Sequence, residues 1–251
     1  MKKTEVIVLA AGKGTRMRSN EPKVLQMLGG RSLLDHVLGA VRGATPSQIY
    51  VVFGYGGDAV RRMTLGDDIN WVQQEPQLGT GHAVSQVMPS VDPAADVLVV
   101  YGDVPLIQTQ TLVRLVEAGE AGRLALLTSV LPDPTGYGRI IRDDRGQLQG
   151  IVEEADASDE QKIISEINAG FIAAPAVLFS DWLTHASNAN AQREHYFTDV
   201  VRFAVAAEVP VVTCVATDPN EVQGVNSRAE LAKAERVFQR RQAVRLMADG
   251  L

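Results

Sequence analysis

The sequence has few of the features that define several common classes of protein. One cysteine in 251 residues excludes an intramolecular disulfide framework and a zinc site built on cysteines. Acidic residues outnumber basic ones, with 30 Asp and Glu against 24 Lys and Arg and a formal charge of −6. A general nucleic-acid or membrane-surface binder needs clustered positive charge, so neither kind of partner is predicted.

No apolar run near the start of the chain is long enough to be a signal peptide or a membrane span. The run at 6–11 is short and is followed by Gly12 and Lys13. We therefore expect a cytoplasmic location. Cys214 lies in a later apolar run and is interpreted as a buried small hydrophobic side chain.

The hydrophobic residues, 45% of the chain, are arranged as in a globular α/β protein. In the first half, short runs rich in Val, Ile and Leu alternate with helical patterns. This alternation predicts βαβ units and a Rossmann-like, doubly wound, mostly parallel sheet. The predicted strands are 6–9, 49–53, 69–72, 97–101 and 124–130, and the predicted helices are 32–42, 59–63, 82–88 and 109–118.

The pattern changes at Pro132, where a turn-rich segment begins. A hairpin with strands 139–142 and 148–153 is predicted after it, and it indicates a small antiparallel lobe. Further along, helices are predicted over 175–184, 198–207 and 227–248, with a strand over 209–216.

The first predicted strand ends in a glycine-rich turn with several cations close by. Ligands of an open parallel sheet bind at the carboxyl ends of its strands, so Gly12 and Gly14 could offer N–H groups to phosphates. The cations Lys13, Arg16 and Lys23 suit a triphosphate. The third glycine of a dinucleotide fingerprint is missing and no P-loop segment occurs, which disfavours a dehydrogenase and a P-loop NTPase. A solvated surface loop is the alternative interpretation.

Polar residues also follow two other predicted strands. The amides of Gln74 and Gln77 could recognise the edge of a base, and Gly79 allows close contact at a helix N-terminus. The alternative is a helix entry with Thr80 as its N-cap. Asp103 is placed where a single carboxylate could hold Mg²⁺ together with phosphates and water, and a turn-capping aspartate is the alternative.

Seven segments, taken in order, resemble one protein family over nearly the whole chain. They are LAAGKGTRM at 9–17, PK at 22–23, QLGTGHA at 77–83, YGDVPL at 101–106, GYGR at 136–139, EINAG at 166–170 and GVN at 224–226. The resemblance is to the uridyltransferase domain of the bacterial bifunctional N-acetylglucosamine-1-phosphate uridyltransferase/glucosamine-1-phosphate acetyltransferase. Sugar nucleotidyltransferases in general share the first segment, whereas the set GTGHA, YGDVPL and GYGR is far more specific to this member.

The resemblance implies a reaction and a domain organisation. UMP would be transferred from UTP to N-acetylglucosamine-1-phosphate, giving UDP-N-acetylglucosamine and pyrophosphate, with Mg²⁺ as cofactor. The UDP-N-acetylglucosamine would serve the synthesis of cell-envelope precursors. A nucleotide-diphospho-sugar transferase fold is implied, with a nucleotide-binding half at 1–131, a sugar-binding half at 132–226 and a C-terminal helix at 227–251. The hexapeptide repeats of the family's acetyltransferase β-helix do not occur in this sequence, so acetyl transfer is not expected of this chain.

By position, the resemblance also implies roles for individual residues. Arg16 and Lys23 would act in catalysis by neutralising the triphosphate and the sugar phosphate, and Asp103 and Asn226 would hold Mg²⁺. This role displaces the interpretation of Asn226 as the N-cap of the last helix. The residues implied to bind the nucleotide are Leu9, Ala10, Ala11, Gly12, Gln74, Gln77, Gly79 and Thr80. Those implied to bind the sugar phosphate are Tyr101, Gly102, Gly138, Glu153, Asn168 and Tyr196.

The sequence departs from the family's pattern at three positions. Ala155 stands where many members have Lys, and Arg193 and His195 replace a commoner Gly and Tyr. We expect these changes to alter the rim of the sugar pocket more than the chemistry. Another sugar phosphate, another nucleotide such as dTTP, or a non-catalytic nucleotide-sugar sensor are the alternatives, although Asp103 together with Asn226 argues against a sensor.

Overall fold

Strands and helices alternate along residues 3–251, the part of the chain that the computed structural model describes. The strands are β1 Thr4–Ala10, β2 Met27–Leu28, β3 Arg31–Ser32, β4 Gln48–Phe53, β5 Ile69–Gln73, β6 Asp96–Tyr101, β7 Leu124–Val130, β8 Arg139–Arg142, β9 Leu148–Val152, β10 Glu166–Pro175 and β11 Val211–Val215. The α-helices are α1 Leu33–Gly43, α2 Gly57–Met63, α3 Thr80–Val87, α4 Thr109–Gly119, α5 Asp159–Lys162, α6 Ala176–Leu183, α7 Asp199–Ala206 and α8 Arg228–Ala248. Short 3-10 helices lie at Thr15–Met17, Lys23–Leu25, Met88–Ser90 and Pro219–Val222.

One mixed sheet forms the centre of the fold. Its main path runs β11-β7-β10-β6-β1-β4-β5, and all neighbours in this path are parallel except at β10, which is antiparallel to both β6 and β7. The β8–β9 hairpin joins the sheet through β10, and β2–β3 form a separate small hairpin. The predicted fold class is confirmed: a mostly parallel α/β sheet with a small antiparallel part.

Helices cover both faces of the sheet, and successive apolar side chains along each strand point to opposite faces. Both faces are therefore buried. In β1, Val6 and Val8 pack with α1 and α4 on one face. Ile7 and Leu9 pack with α3, α6 and α7 on the other. Parallel strands covered in this way read as continuous apolar runs, and each predicted strand and helix matches an observed one within two residues at either end.

Strand β10 was not predicted, and it joins the second half of the chain to the first. It lies between β6 and β7, so 132–226 supplies a central strand of the sheet rather than only a separate lobe. Its apolar pattern is interrupted at Gly170, which has a φ of +87°, and its pairing register with β7 shifts between Asn168 and Ile172. A bulged strand of this kind lacks the regular alternation that sequence analysis detects.

Three local details differ from what the sequence predicted or left open. The helix predicted over 175–184 begins one residue later, because Pro175 ends β10 and occupies the N-cap position of α6. Ser227, rather than Asn226, caps α8, because its hydroxyl accepts from the N–H of Glu230 in a capping box. Cys214 is only half-buried, since its strand β11 lies at the edge of the sheet.

The last helix packs against the β2–β3 hairpin through one side. Ala234 is buried there, and Leu231, Val237 and Phe238 are partly buried against the same cluster. Gly250 follows the helix with a φ of +84°. Over residues 3–251, no helix combines the length and apolar character needed to cross a membrane.

Candidate active site

Two adjoining cavities lie where several parallel strands end. The registers align the last residues of β1, β4, β5 and β6 at one edge of the sheet. The larger cavity, about 590 Å³, follows β1, β5 and β6. The smaller one, about 160 Å³, lies beside the start of β10 and the β8–β9 hairpin. Tyr101 and Asp103 line both, so the two cavities meet at the end of β6.

The predicted nucleotide residues converge on the larger cavity. All eight line it: Leu9, Ala10, Ala11, Gly12, Gln74, Gln77, Gly79 and Thr80. At Gly12 an added Cβ would meet no protein atom within 4 Å, so the main chain there faces open space. A ligand can therefore approach this stretch of backbone closely.

The two glutamines differ in how free their side chains are. Gln74 is 4% exposed, and its Nε2 donates to the carbonyl of Gly79 at 2.8 Å. Gln77 is half-buried in the same wall. Gln74 therefore braces the loop that carries Gly79 and can offer its carbonyl oxygen to a ligand, while the Gln77 amide is the more adaptable group.

The segment Gly79-Thr80-Gly81 packs against a distant loop. Gly81 N donates to His195 O at 2.7 Å, and His195 N donates to Leu78 O at 2.8 Å. A Cβ on Gly79 would lie 2.6 Å from His195 O, and Gly79 has a φ of +104°. These glycines therefore allow two stretches of chain to touch, in addition to any contact with a ligand.

The alternative interpretation of Thr80, as the N-cap of a helix, does not hold. Gly79 occupies the N-cap position of α3 and Thr80 is the first helical residue. Its hydroxyl instead accepts from Phe197 N at 3.0 Å, which ties the helix start to the same distant loop. That loop brings Glu194 into the wall of the larger cavity. Sequence analysis missed Glu194, because no local pattern links it to a strand end 90 or more residues earlier.

A charged cluster stands where the cavities meet. The ammonium of Lys23 pairs with Asp103 Oδ2 and also donates to Asn226 Oδ1 at 2.8 Å. The side chains of Lys23 and Asp103 are only 12% and 17% exposed. The ion pair is therefore poorly screened by solvent compared with a surface pair.

The chain brings Asn226 to Asp103 by a backbone contact. Val225 N donates to Asp103 O at 2.8 Å, although more than 120 residues separate them. The loop after β6 is also held at Leu106, whose carbonyl accepts from Arg241 of α8 at 2.8 Å. The same guanidinium donates to Asp218 at 2.7 Å, so one side chain fastens the 218–226 segment to this loop.

A buried carboxylate gives the same segment a further anchor. Glu221 has no exposed surface, and its Oε2 accepts from the hydroxyl of Thr111 at 2.9 Å and from Gln108 N at 3.3 Å. It thereby caps the start of α4, where negative charge is favourable. The positions of Asp103 and Asn226 thus depend on three points of attachment.

The smaller cavity contains four of the predicted sugar residues. Tyr101, Gly138, Glu153 and Asn168 line it. Asn168 N donates to Gly138 O at 2.8 Å, and Thr198 Oγ1 donates to Glu153 Oε1 at 2.8 Å. Burial raises the pKa of the Glu153 carboxyl, and the hydrogen bond from Thr198 opposes this shift only in part.

Over residues 3–251, three of the predicted site residues line neither cavity. Arg16 is exposed on a short 3-10 helix. Gly102 lies behind the end of β1, where its N–H donates to Leu9 O at 2.9 Å. Tyr196 is half-buried near Glu153 and Asp156, and burial together with these negative charges raises its pKa to about 12.

The donor set at the junction suits a hard divalent cation that is shared with phosphates. In the part of the chain that the structure describes, no group of three or more His, Cys, Asp or Glu could hold a metal. Asp103 and Asn226 offer one carboxylate and one amide oxygen, and Lys23 already places a cation between them. Mg²⁺ binds oxygen ligands and takes few carboxylates where phosphates and water complete its shell, so these residues fit it.

Solved structures share this architecture. A nucleotidyl transferase from Methanothermobacter superposes with a TM-score of 0.67 at 21% identity, over 95% of this chain and 98% of that one. A Bacillus anthracis protein named as a glucose-1-phosphate thymidylyltransferase superposes with a TM-score of 0.73 at 17% identity, over 93% of this chain and 94% of that one. At these identities the likeness concerns the fold.

A family model identifies this α/β fold, with its paired cavities at the sheet edge, as an NTP transferase domain. The chain belongs to the MobA-like NTP transferase domain family, whose model matches residues 6–166. Curated relatives named "Bifunctional protein GlmU" are 51% identical over 247 residues in Pseudomonas syringae pv. syringae and 50% identical over 246 residues in Alkalilimnicola ehrlichii. Each alignment covers 98% of this chain and 54% or 53% of the relative, so the chain spans about half the length of these proteins.

Proposed function

We propose that this chain transfers UMP from UTP to N-acetylglucosamine-1-phosphate, releasing UDP-N-acetylglucosamine and pyrophosphate. The relatives named GlmU support this proposal, since half of this chain's residues are identical to theirs over nearly its full length. The segments at 77–83, 101–106 and 136–139 support it as well, because they resemble the uridyltransferase domain rather than sugar nucleotidyltransferases in general. The proposed place of the reaction is the cytoplasm, where the product would feed cell-envelope precursors.

One observation carries the proposal: two cavities share a wall at Asp103. A transfer between two substrates needs a separate site for each, with the reacting atoms brought together. The larger cavity has the size and the backbone groups for a nucleotide, and the smaller one has Glu153 and Asn168 to bind sugar hydroxyl and amide groups. Lys23 and Asp103 would then lie beside the phosphates of both substrates.

The proposed chemistry needs no general base. The nucleophile is an oxygen of the sugar phosphate, which is already ionised near neutral pH. It attacks the α-phosphorus of UTP, the new P–O bond forms, and the bond to the leaving pyrophosphate breaks. Catalysis then depends on alignment of the two phosphates and on neutralisation of their charge.

Lys23 and Arg16 are the cations proposed to act on the phosphates. Lys23 lines the larger cavity at its junction with the smaller one, where its ammonium can bind an oxygen of the α-phosphate or of the incoming phosphate. Arg16 is exposed near the same loop and is proposed to bind the outer phosphates. Asp103 and Asn226 are proposed to hold Mg²⁺, which when bound neutralises developing charge on the phosphate oxygens.

The proposed recognition groups are spread over the two cavities. The amides of Gln74 and Gln77 would hydrogen-bond to uracil, and the backbone near Gly12 would contact the nucleotide. In the smaller cavity the ionised carboxylate of Glu153 would accept from a sugar hydroxyl, and Asn168 would bind the acetamido group. Tyr196 is proposed to contribute through its position beside Glu153.

The test is pyrophosphate release by the purified chain with UTP, Mg²⁺ and N-acetylglucosamine-1-phosphate, beside glucose-1-phosphate. Rapid release with the acetylated amino sugar alone is expected. Parallel reactions with dTTP, CTP and GTP check the nucleotide, and the expected order places UTP first. Binding of UTP without release of its pyrophosphate in the presence of either sugar phosphate would contradict the proposed reaction and favour a nucleotide-sugar sensor.

A further inference from the structure

Lys23 holds the two oxygens that the proposed metal would need. Its Nζ pairs with Asp103 Oδ2 and donates to Asn226 Oδ1 at 2.8 Å. Building on the proposed function, we propose that the Lys23 ammonium stays bound to these two metal-ligand oxygens until a nucleotide binds. Divalent metal would then enter with the triphosphate rather than alone, and Lys23 would act as a selectivity residue as well as a phosphate-binding one.

The charges at the junction support this exclusion. An ammonium within hydrogen-bond distance of both oxygens leaves no room for a second cation between them. The single negative charge of Asp103 is already neutralised by Lys23, so a free divalent ion gains little attraction and meets a positive charge a few ångströms away. Both side chains are mostly buried, so solvent screens this repulsion weakly.

A triphosphate would reverse the balance. Lys23 lines the larger cavity, together with Lys13, so phosphates bound there would offer its ammonium other anionic partners. The lysine stem is flexible and its head can move by rotation about four bonds. Once Lys23 turns to the phosphates, Asp103 and Asn226 are free for the metal. Nucleotide and metal would therefore each increase the affinity of the chain for the other.

The positions of Asp103 and Asn226 should be kept when the Lys23 side chain turns away from them. Val225 N is fixed to Asp103 O at 2.8 Å, and Asn226 N donates to Glu230 Oε2 at 2.5 Å. Glu221 anchors the same segment to the start of α4 through hydrogen bonds from Thr111 and Gln108. The backbone of both ligands is therefore held by groups other than Lys23.

The test measures Mn²⁺ alone, without nucleotide, by the loss of the free-ion signal in electron paramagnetic resonance. The full chain is compared with Lys23→Met and with Lys13→Met, which removes the same charge from an exposed lysine in the wall of the same cavity. Lys23→Met should bind Mn²⁺ about tenfold more tightly than the unmodified chain, and Lys13→Met should change the affinity by less than about threefold.

Two further variants make the result specific. Lys23→Gln, which keeps a polar side chain of similar length, should also gain affinity and replaces Lys23→Met if circular dichroism shows that the latter is unfolded. Adding Asp103→Asn to Lys23→Met should remove the gain. Equal Mn²⁺ affinity with and without Lys23, an equal gain in Lys13→Met, or a gain that survives Asp103→Asn would each overturn the proposal. None of these measurements uses turnover, so failure of uridyl transfer is detected separately by pyrophosphate release.

Discussion

The two cavities are built by different kinds of contact. The wall of the larger one consists mainly of loops that directly follow β1, β5 and β6, so residues close in sequence stand side by side. The smaller one joins β10, the β8–β9 hairpin and the segment before α8. Asn168 and Asn226, both in its wall, are 58 residues apart in sequence. A change of packing far from the site should therefore disturb the smaller cavity more readily than the larger one.

The largest effect is expected at the wall that the cavities share. Asp103→Ala removes the proposed metal ligand and the partner of Lys23, so pyrophosphate release should fall on the order of 100- to 1000-fold. The thermal midpoint should also fall, because the mostly buried ammonium of Lys23 loses its charged partner, so activity is assayed well below that midpoint. Asp144→Ala, which removes an exposed carboxylate from the β8–β9 turn, serves as the control and should keep full activity. Near-normal turnover by Asp103→Ala would remove Asp103 from the mechanism.

Replacing two glycines of the larger cavity should have different effects, one on the stability of the fold and the other on nucleotide binding. Gly79→Ala places a Cβ 2.6 Å from His195 O at a φ of +104°, so the free energy of unfolding should fall by about 1–3 kcal/mol. Gly12→Ala meets no protein atom within 4 Å, so stability should change by less than about 0.5 kcal/mol while the KM for UTP rises. Urea unfolding and steady-state kinetics measure the two effects. Equal stability losses in both variants would contradict this distinction.

In the smaller cavity, Glu153→Gln should weaken sugar binding and stabilise the fold at neutral pH. Burial raises the pKa of Glu153, so the folded chain holds this proton more tightly than the unfolded chain does. The carboxyl then favours the folded state at low pH, and this contribution is lost as pH rises through the folded pKa. The thermal midpoint of Glu153→Gln should exceed that of the unmodified chain at pH 7.

The same variant makes two further predictions. The difference in thermal midpoint between the variant and the unmodified chain should shrink as the pH falls towards the ordinary pKa of a glutamate, about 4.3. The KM for N-acetylglucosamine-1-phosphate should rise by about tenfold, because a charged acceptor is lost. Thermal scans at several pH values and sugar-phosphate titrations check these points. A lower midpoint at pH 7 would show that ionised Glu153 is a net stabilising group, which is the opposite of the predicted effect.

The smallest effect is expected from Arg16. Its exposed position means that solvent and salt screen its charge, so Arg16→Ala should lower kcat/KM by only about two- to tenfold. The loss should also decrease as ionic strength rises. A loss as large as that of Asp103→Ala would indicate that this loop closes over the nucleotide and brings Arg16 to the reacting phosphates.

The sequence was most informative where function follows a regular strand. The apolar runs of β1 and β6 located the loops that carry Gly12 and Asp103, because a buried parallel strand has a clear pattern and its ligand edge is known. Glu194 could not be found in this way. The loop that follows it is held at the cavity by hydrogen bonds with Leu78, Thr80 and Gly81, which are distant in sequence.

The bulged strand β10 marks the other limit of sequence analysis. Sequence analysis found the segment around Asn168 only as a motif. Gly170 interrupts the apolar pattern there, so a strand was not predicted. The roles of Gly102 and Tyr196 rest on the resemblance, and that of Arg16 on the resemblance and on the cation cluster beside the first glycine turn. All three roles stay predictions, as does the division of the chain at 131. The contacts of Glu221 and Arg241 were not foreseen, since buried polar anchors have no period in the sequence.

The central claim, one substrate for each cavity, is tested most directly by two-substrate kinetics of Gln77→Ala and Glu153→Gln. Gln77 lines only the larger cavity and Glu153 only the smaller. We predict that Gln77→Ala raises the KM for UTP and Glu153→Gln the KM for the sugar phosphate, each by about tenfold, with the other KM within about twofold. Crossed effects, or equal increases of both constants in either variant, would contradict the assignment of the cavities.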